Sequence, residues 1–140
     1  MLERIGALDI GEKRIGVAVS DPMFWTAGAL CTVDATDKEK ALEEIERIVH
    51  EQNIFRLILG FPKNMNNTIG PSGEKVLQWK EELEKRLDVE LILQDERLSS
   101  VSANRVLMET GVRREKRKYV VDQIAATYIL QSYLDKGVTR

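Results

Sequence analysis

Short apolar runs separated by tight polar turns open the chain, and longer runs with helical spacing follow. Residues 4–9, 14–20 and 28–33 are predicted to be strands, and the first two are joined by a turn at Gly11. Because only short connections separate them, the three strands are expected to form an antiparallel meander.

The rest of the chain alternates helices with apolar strands. Apolar positions between Asp37 and Gln52 recur at the three- and four-residue spacing of one helix face, which predicts the first helix. The remaining predicted elements are a strand at Phe55–Leu59 before Gly60, a helix from Pro71 to about Leu87, a strand at Val89–Leu93, a helix from Ser99 or Ser100 to before Gly111, and a helix from about Tyr119 to Leu134.

This order, β-β-β-α-β-α-β-α-α, predicts an α/β fold with a mixed sheet and helices on both faces. Right-handed crossovers should place the fourth and fifth strands parallel to the first. Functional sites of such sheets lie beyond the carboxyl ends of the parallel strands. Asp9, Gly60 and Glu96 all fall at such ends.

Composition narrows the class of protein. A chain of 140 residues with 43% hydrophobic and 31% charged residues is expected to be one soluble domain, residues 1–140. No apolar run approaches the roughly 20 residues of a membrane span, so no membrane partner is expected. The single cysteine, Cys31, suits a reducing cytoplasm and is expected to be a small core residue. His50 has no second histidine with which to share a zinc site.

Three carboxylates stand out as candidate ligands or catalytic groups. Asp9 ends the first strand, Glu96 follows the fifth, and Asp122 is expected to open the last helix. Each also has a structural interpretation, as a loop residue, a cap or a partner of the helix dipole. Asp122 shares a helical face with Ala126, Ile129 and Tyr133, which indicates a face packed on the sheet.

Three converging carboxylates would repel one another unless a cation neutralised them. Mg²⁺ or Mn²⁺ would do so, because both prefer oxygen ligands and complete their shells with water and phosphate. Two such ions about 4 Å apart hydrolyse phosphodiesters in many enzymes. Lys13, Arg14 and Arg97 lie near these acids in sequence, and they would bind either substrate phosphates or the acids themselves.

Two further segments have polar groups suited to nucleic acid. The loop at 61–70 contains Asn64 and leads into a helix N-terminus, where anions are favoured. A basic cluster between residues 113 and 118 is expected to be a loop that contacts phosphates, although a solvated surface loop would look the same. Its basic residues are Arg113, Arg114, Lys116, Arg117 and Lys118.

These stretches together resemble the YqgF/RuvX family. The resemblance runs in family order along the whole chain, and its first and fourth stretches are the most specific. The matching stretches are Leu8-Asp9-Ile10-Gly11-Glu12-Lys13-Arg14-Ile15-Gly16-Val17-Ala18-Val19-Ser20-Asp21, Gly60-Phe61-Pro62 with Asn64-Met65, Gly70-Pro71, Asp95-Glu96-Arg97-Leu98-Ser99, and Val121-Asp122-Gln123-Ile124-Ala125-Ala126.

The resemblance implies an RNase H-like fold, shared with Holliday junction resolvases, with strand order 3-2-1-4-5. It implies a nuclease linked to maturing the 5′ end of 16S ribosomal RNA, with Holliday junction resolution as a further proposed activity. Asp9, Glu96 and Asp122 match the family's acidic active-site set. Phe61 and Lys63 replace common leucines, and Asn67 replaces a frequent glycine.

The implied strand order sets a geometric question about Glu96. The fifth strand lies two strand spacings from the first, so the two backbones are about 10 Å apart. Two inward-pointing carboxylates with metal bonds of about 2.1 Å could bridge that gap. Metal occupancy is therefore expected to depend on bound nucleic acid.

The leading hypothesis is a metal-dependent nuclease that cleaves structured RNA, with precursor 16S rRNA as substrate and a pre-ribosomal particle as a further partner. A resolvase of branched DNA is the main competing hypothesis, and it would favour a homodimer over a monomer. The Met23-Phe24-Trp25 run would be a dimer interface or, more simply, a core contact. A non-catalytic RNA- or ribosome-binding module and an actin-like ATPase domain are two weaker candidates.

Overall fold

The computed structural model describes residues 2–61, 70–95 and 114–138, which contain five strands and three helices. Except at the start of the last helix, their bounds follow the hydrophobic pattern closely. The elements are β1 (Arg4–Ile10), β2 (Arg14–Ser20), β3 (Ala27–Asp34), α1 (Lys38–Glu51), β4 (Ile54–Phe61), α2 (Pro71–Arg86), β5 (Glu90–Asp95) and α3 (Arg114–Leu134).

The strands form one mixed sheet in the order β3-β2-β1-β4-β5, as predicted. β1, β2 and β3 pair antiparallel, which confirms the meander. β4 and β5 join the other side of β1 in parallel, each after a helical crossover. Because β4 separates β1 from β5, two strand spacings separate Asp9 from the end of β5 in this topology.

The two faces of the sheet bury different helices. Leu8 and Ile10 of β1 pack in the layer that contains α1 and α2. Ile5 and Ala7, which alternate with them, pack against α3. This alternation follows from the two-residue period of a strand, so each residue of β1 can be assigned to a face.

The starts of α1 and α2 have the expected local chemistry. The Asp37 carboxylate accepts a hydrogen bond from the backbone N–H of Lys40 at 3.2 Å and so caps α1. Pro71 occupies the first position of α2, where its missing N–H costs no hydrogen bond. Both predicted helices are confirmed to within one residue at each end.

The last helix begins earlier than predicted. α3 starts at Arg114 rather than near Tyr119, so the expectation of a basic loop was wrong from Arg114 onwards. Lysine, arginine and glutamate are good helix formers, and no glycine or proline interrupts this stretch. The basic residues thus placed in the first two turns of α3 are Arg114, Lys116, Arg117 and Lys118. The helix predicted to begin at Ser99 or Ser100 lies outside the described residues.

The connection between β2 and β3 divides its three large apolar residues between core and solvent. Phe24 packs on the α3 side of the core, 5.8 Å from the Phe55 ring centroid, as expected of a core contact. Met23 and Trp25 are 70% and 73% exposed, so the core expectation was wrong for them. The other tryptophan, Trp79 of α2, is buried.

Cys31 is only half-buried, on the edge strand β3. Burial is the main factor that raises the pKa of its thiol, and the nearby carboxylate of Glu44 adds to the effect. The thiol therefore stays protonated at neutral pH, as expected of a packing residue rather than a nucleophile. None of the described helices combines the length and apolar character needed to cross a membrane.

Candidate metal and nucleic-acid site

Asp9 lies one residue before the carboxyl end of β1 and is half-buried. By strand alternation it faces α3, on the same side of the sheet as Ile5 and Ala7. An acid in this position ends an apolar strand at the edge where α/β sheets hold their sites. The predicted position of Asp9 at the carboxyl edge is thus present in the fold.

The sheet positions on both sides of Asp9 are glycines. Gly16 of β2 is its register partner. On the other side, Leu8 pairs with Leu59, which places the next residue, Gly60, beside Asp9. Glycine inside a strand often marks a place where a ligand or another backbone approaches closely. The two sheet positions that flank this carboxylate therefore contribute no side chain.

The register continues from Gly16 to Thr32 of β3, and we call Thr32, Gly16 and Asp9 the Asp9 row. The Gln123 side-chain N–H of α3 donates a hydrogen bond to the Thr32 hydroxyl at 3.0 Å. The helix therefore crosses the sheet at the Asp9 row. Asp122, the residue before Gln123, belongs to the turn of α3 that lies at this level.

The position of Asp122 within its helix differs from the prediction. Asp122 does not open α3, because the helix begins eight residues earlier at Arg114. The dipole of a helix stabilises acids only within its first turn. Asp122 lies beyond that turn, so its interpretation as a partner of the helix dipole no longer applies. Ala126 and Ile129, which share its helical face, are fully buried, and this confirms that the face packs on the sheet.

The third predicted carboxylate, Glu96, lies outside the described residues. It follows Asp95, the last residue of β5, whose register partner is Phe61. In the part of the chain that the structure describes, no three His, Cys, Asp or Glu side chains cluster as a metal site would require. Divalent metals such as Mg²⁺ prefer oxygen ligands, and the carboxylate of Asp9 supplies such oxygens beside two glycines.

Gln94, the register partner of Gly60, is a polar residue that the sequence reasoning did not single out. It is buried, and its amide N–H donates to the Ser132 hydroxyl at 3.3 Å. Its amide oxygen accepts a hydrogen bond from the Lys136 ammonium at 3.0 Å. Gln94 thereby ties the end of β5 to the C-terminal part of the chain. The only signal for Gln94 in the sequence was that a polar residue follows the apolar pattern of this strand.

Lys13 lies in the turn that follows β1, and Arg14 begins β2 directly after it. The backbone N–H of Gly11 donates to the Arg14 carbonyl at 2.9 Å and closes the turn. Two open clefts of about 280 Å³ each flank this turn. One is lined by Gly11, Glu12, Lys13 and Arg14, and the other by Lys13, Arg14, Thr32, Asp34 and Thr36.

The second cleft has mixed charge. The Asp34 carboxylate accepts hydrogen bonds from the hydroxyl and the backbone N–H of Thr36, at 2.6 and 2.9 Å. These bonds lower the pKa of Asp34, with the hydroxyl as the larger cause. The cleft therefore offers two cations, one engaged carboxylate and neutral hydroxyl groups next to the Asp9 row.

A larger cleft lies elsewhere, at the ends of α1 and α2 that lie near the amino end of β4. It measures about 930 Å³ and includes His50 and Arg86. The Arg86 guanidinium pairs with Glu39 and, at 3.5 Å, with Glu46. These ion pairs join the two helices, so Arg86 has a structural role here.

The remaining predicted contact residues divide into two groups. Asn64, Arg97 and Arg113 lie outside the described residues. The basic residues of the first turns of α3 lie at the end of the helix that precedes the Asp122 turn, and the structure describes only their backbone. The structure thus brings Asp9, the Lys13–Arg14 turn and the Asp122 turn to one edge of the sheet.

Solved structures of resolvases have the same fold. The Fowlpox virus resolvase in complex with Holliday junction DNA aligns with a TM-score of 0.54 at 15% identity, over 97% of this chain and 99% of that one. RuvC of Thermus thermophilus with a Holliday junction substrate aligns with a TM-score of 0.53 at 13% identity, over 96% and 94%. At these identities the likeness shows the RNase H-like fold.

Sequence relatives are much closer. A protein of Acetivibrio thermocellus is 48% identical over 94% of this chain and 95% of its own length. One of Clostridium perfringens strain SM101 is 50% identical over 95% and 97%. Both carry the name "Putative pre-16S rRNA nuclease". The family model described as "RuvX: Holliday junction resolvase" matches residues 3–136. From these matches, the chain belongs to the RuvX family.

Proposed function

We propose that this protein is a metal-dependent nuclease that hydrolyses phosphodiester bonds in structured RNA and processes the 5′ end of precursor 16S rRNA. The family and the names of the two relatives support the nuclease class and this substrate. The observation that carries the proposal is the setting of Asp9. A half-buried carboxylate stands at the carboxyl edge of the sheet between two glycines, at the level where α3 crosses.

Asp9, Glu96 and Asp122 are proposed as the metal ligands and catalytic carboxylates, with Mg²⁺ or Mn²⁺ as the cofactor. When bound, the metal supplies an activated water and stabilises the leaving oxygen of the phosphodiester. Asp9 contributes a fixed oxygen donor, because β1 is paired on both sides. The neighbouring glycines leave room for substrate beside that donor.

Lys13 and Arg14 are proposed to hold backbone phosphates of the substrate. They flank the Asp9 row on a turn that its own backbone hydrogen bond closes. Phosphate contacts set the register of a nucleic acid on the protein without reading its sequence. Asn64, Arg97, Arg113, Arg114, Lys116, Arg117 and Lys118 are proposed to extend this contact surface.

The test replaces Asp9 by asparagine, which keeps the size of the side chain and removes its charge. Cleavage of precursor 16S rRNA in Mn²⁺ should fall by at least about 100-fold, because even residues that only support metal ligands contribute 10- to 100-fold. RNA binding in EDTA should stay close to wild type. Asp88→Asn is the matched control, since Asp88 lies just before β5, at the opposite end of the sheet. Undiminished cleavage by Asp9→Asn would contradict the mechanism.

Resolution of Holliday junctions is the second candidate, and the description of the family model favours it. It uses the same chemistry on four-way DNA and requires two cuts related by symmetry, which a homodimer provides. Comparing cleavage of four-way DNA with that of precursor RNA by the same preparation separates the two. Sedimentation of the free protein distinguishes monomer from homodimer. Wild-type protein that binds RNA and cleaves neither substrate would point to the non-catalytic binding module.

Three broader expectations stay predictions. The extent of the domain over residues 1–140 is supported by the family match from 3 to 136. The cytoplasmic location rests on the single cysteine and on the names of the relatives, which refer to ribosomal RNA. A pre-ribosomal particle as partner follows from the proposed substrate, and co-sedimentation with immature small subunits would test it.

A further inference from the structure

Two glutamines attach α3 to the edge strand β3. Gln123 donates through its side-chain amide to the Thr32 hydroxyl, near the carboxyl edge that holds Asp9. Gln131 accepts from the backbone N–H of Ala27 at 2.9 Å and donates to the carbonyl of Trp25 at 3.1 Å. Eight residues separate the two glutamines, which corresponds to about 12 Å along the helix axis. The helix is therefore held at both ends of β3.

The packing of α3 differs between these two attachment points. Ile129, Leu130 and Leu134 fill the sheet surface around the Gln131 end with large apolar side chains. Toward Gln123, the fully buried residues among the described side chains of α3 are Ala125 and Ala126. The sheet under that end presents Gly16 in the Asp9 row. Large buried side chains thus interlock with the sheet at the Gln131 end, whereas the fully buried side chains described toward Gln123 are small.

A helix that packs through small side chains rotates and slides more easily than one that interlocks. The Gln123–Thr32 bond joins groups 91 residues apart in sequence and is partly buried. It starts from the helix residue directly after Asp122 and ends in the same row as Asp9. The bond therefore fixes the rotation of the helical turn that contains Asp122 relative to the strand that contains Asp9.

We propose that Gln123 is a positioning residue that sets Asp122 opposite Asp9 through its hydrogen bond to Thr32. This inference rests on the proposed function, since it assigns a role to Gln123 only if Asp9 and Asp122 share a metal. Groups that orient metal ligands in this way change metal affinity by about 10- to 100-fold when removed.

Because metal occupancy is expected to depend on bound nucleic acid, the experiment measures the dissociation constant of Mn²⁺ for the purified protein both alone and with saturating RNA, by electron paramagnetic resonance of the free ion, with RNA alone as the blank. It also measures the Mn²⁺ concentration that gives half-maximal cleavage of precursor rRNA. The variants are Gln123→Leu and Thr32→Val, which remove the same bond from either side with little change in volume. Thermal unfolding of each variant shows that it is folded. If Gln123→Leu fails to fold, Thr32→Val tests the loss of the same hydrogen bond.

Both variants should bind Mn²⁺ at least about 10-fold more weakly than wild type. The double variant should bind Mn²⁺ no more weakly than either single variant, because all three variants lose the same hydrogen bond. Gln131→Leu is the matched control: it removes the other attachment of the same helix, about 12 Å away. It should lower the melting temperature and leave the Mn²⁺ affinity within about twofold of wild type.

The outcomes separate the two proposals. Unchanged Mn²⁺ affinity in Gln123→Leu and Thr32→Val, with affinity lost in Asp9→Asn, would overturn the positioning role and leave the proposed function standing. An equal loss in Gln131→Leu would overturn it as well, since it would show a general effect of loosening α3. Wild-type protein that neither binds Mn²⁺ nor cleaves RNA would overturn both.

Discussion

Asp21 organises the connection between β2 and β3. One of its carboxylate oxygens accepts backbone hydrogen bonds from Trp25 at 2.7 Å and Thr26 at 3.0 Å. The bond from Thr26 is the largest influence on the pKa of Asp21; burial opposes it and the bond from Trp25 adds to it, and the net effect lowers the pKa below its usual 3.8. The charged form is thus favoured in the folded state.

Replacing Asp21 by alanine should therefore destabilise the protein in a pH-dependent way. Because the pKa is lowered on folding, the stabilisation is complete above the unfolded value of 3.8 and is lost as the pH falls through the folded value. At pH 7 the loss should be between about 0.5 and 1 kcal/mol, since these bonds lie at the surface. Urea unfolding at pH 7 and at pH 3 measures it.

Asp21→Asn is the control for this prediction. It keeps an oxygen that accepts the two backbone bonds and removes the titration. Its stability should lie between those of wild type and Asp21→Ala at pH 7 and should lack the change between pH 7 and pH 3. A constant difference between wild type and Asp21→Ala across that range would contradict the prediction.

At the scale of single residues, the sequence identified Asp9 because an acid interrupts an apolar strand pattern. It did not identify Gln94 or Gln123. Their partners Ser132 and Thr32 lie 38 and 91 residues away, so no local pattern connects them. The same holds for the glycines beside Asp9, which become neighbours only through the register of the sheet.

The turn between β1 and β2 depends on a glycine for a steric reason. A Cβ added at Gly11 would lie 2.8 Å from the backbone oxygen of Arg14, the atom that accepts the hydrogen bond of the turn. Backbone atoms cannot move aside as the end of a flexible side chain can. The turn would have to open, and the positions of Lys13 and Arg14 would change with it.

Gly11→Ala should therefore lower the free energy of unfolding by about 1–3 kcal/mol, in the upper part of the usual range for point mutants. Gly28→Ala on β3 is the matched control, because a Cβ there would meet only the Val19 oxygen at 4.0 Å. Its effect should stay within about 0.5 kcal/mol. Equal stability of the two variants in urea unfolding would show that the turn tolerates a side chain.

At the scale of elements, the strand and helix spacing predicted most boundaries, and the largest error was the start of α3. The charged stretch from Arg114 to Lys118 has no apolar face, so periodicity could not assign it. Its residues are good helix formers, and the packed turns that follow extend the helix backward through them. Propensity was the better guide where the hydrophobic pattern was absent.

At the scale of the whole molecule, the sheet separates two hydrophobic cores that contain different numbers of helices. α1 and α2 share one face, whereas among the described residues α3 alone supplies the helical side of the other core. Each buried side chain of α3 therefore contributes a large share of that second core. Ile129 is 1% exposed and belongs to that core.

Ile129→Ala should lower the free energy of unfolding by about 2–5 kcal/mol, since it leaves a cavity between helix and sheet. Its neighbour Tyr128 is 39% exposed on the same helix and provides the control. Tyr128→Ala should cost less than about 1 kcal/mol. Chemical unfolding of both variants measures the difference, and similar losses would mean that α3 packs in a different rotation.

The antiparallel meander, the parallel pairing of the later strands and the helices on both faces could be predicted because short connections and right-handed crossovers leave few topologies, whereas the strand order followed from the family resemblance. The complete candidate site could not. Whether Glu96 joins Asp9 depends on where the chain goes after β5, and no spacing in the sequence specifies a path across two strands.

The exposure of Trp25 and the burial of Trp79 make the two tryptophans separate optical reporters. Trp79 belongs to the α1–α2 layer, so its blue-shifted emission follows the packing of that core. Trp25 emits from the solvent-facing connection that Gln131 attaches to α3, where a water-soluble quencher reaches it. Fluorescence can therefore distinguish loosening of α3 from loss of the opposite core without any introduced label.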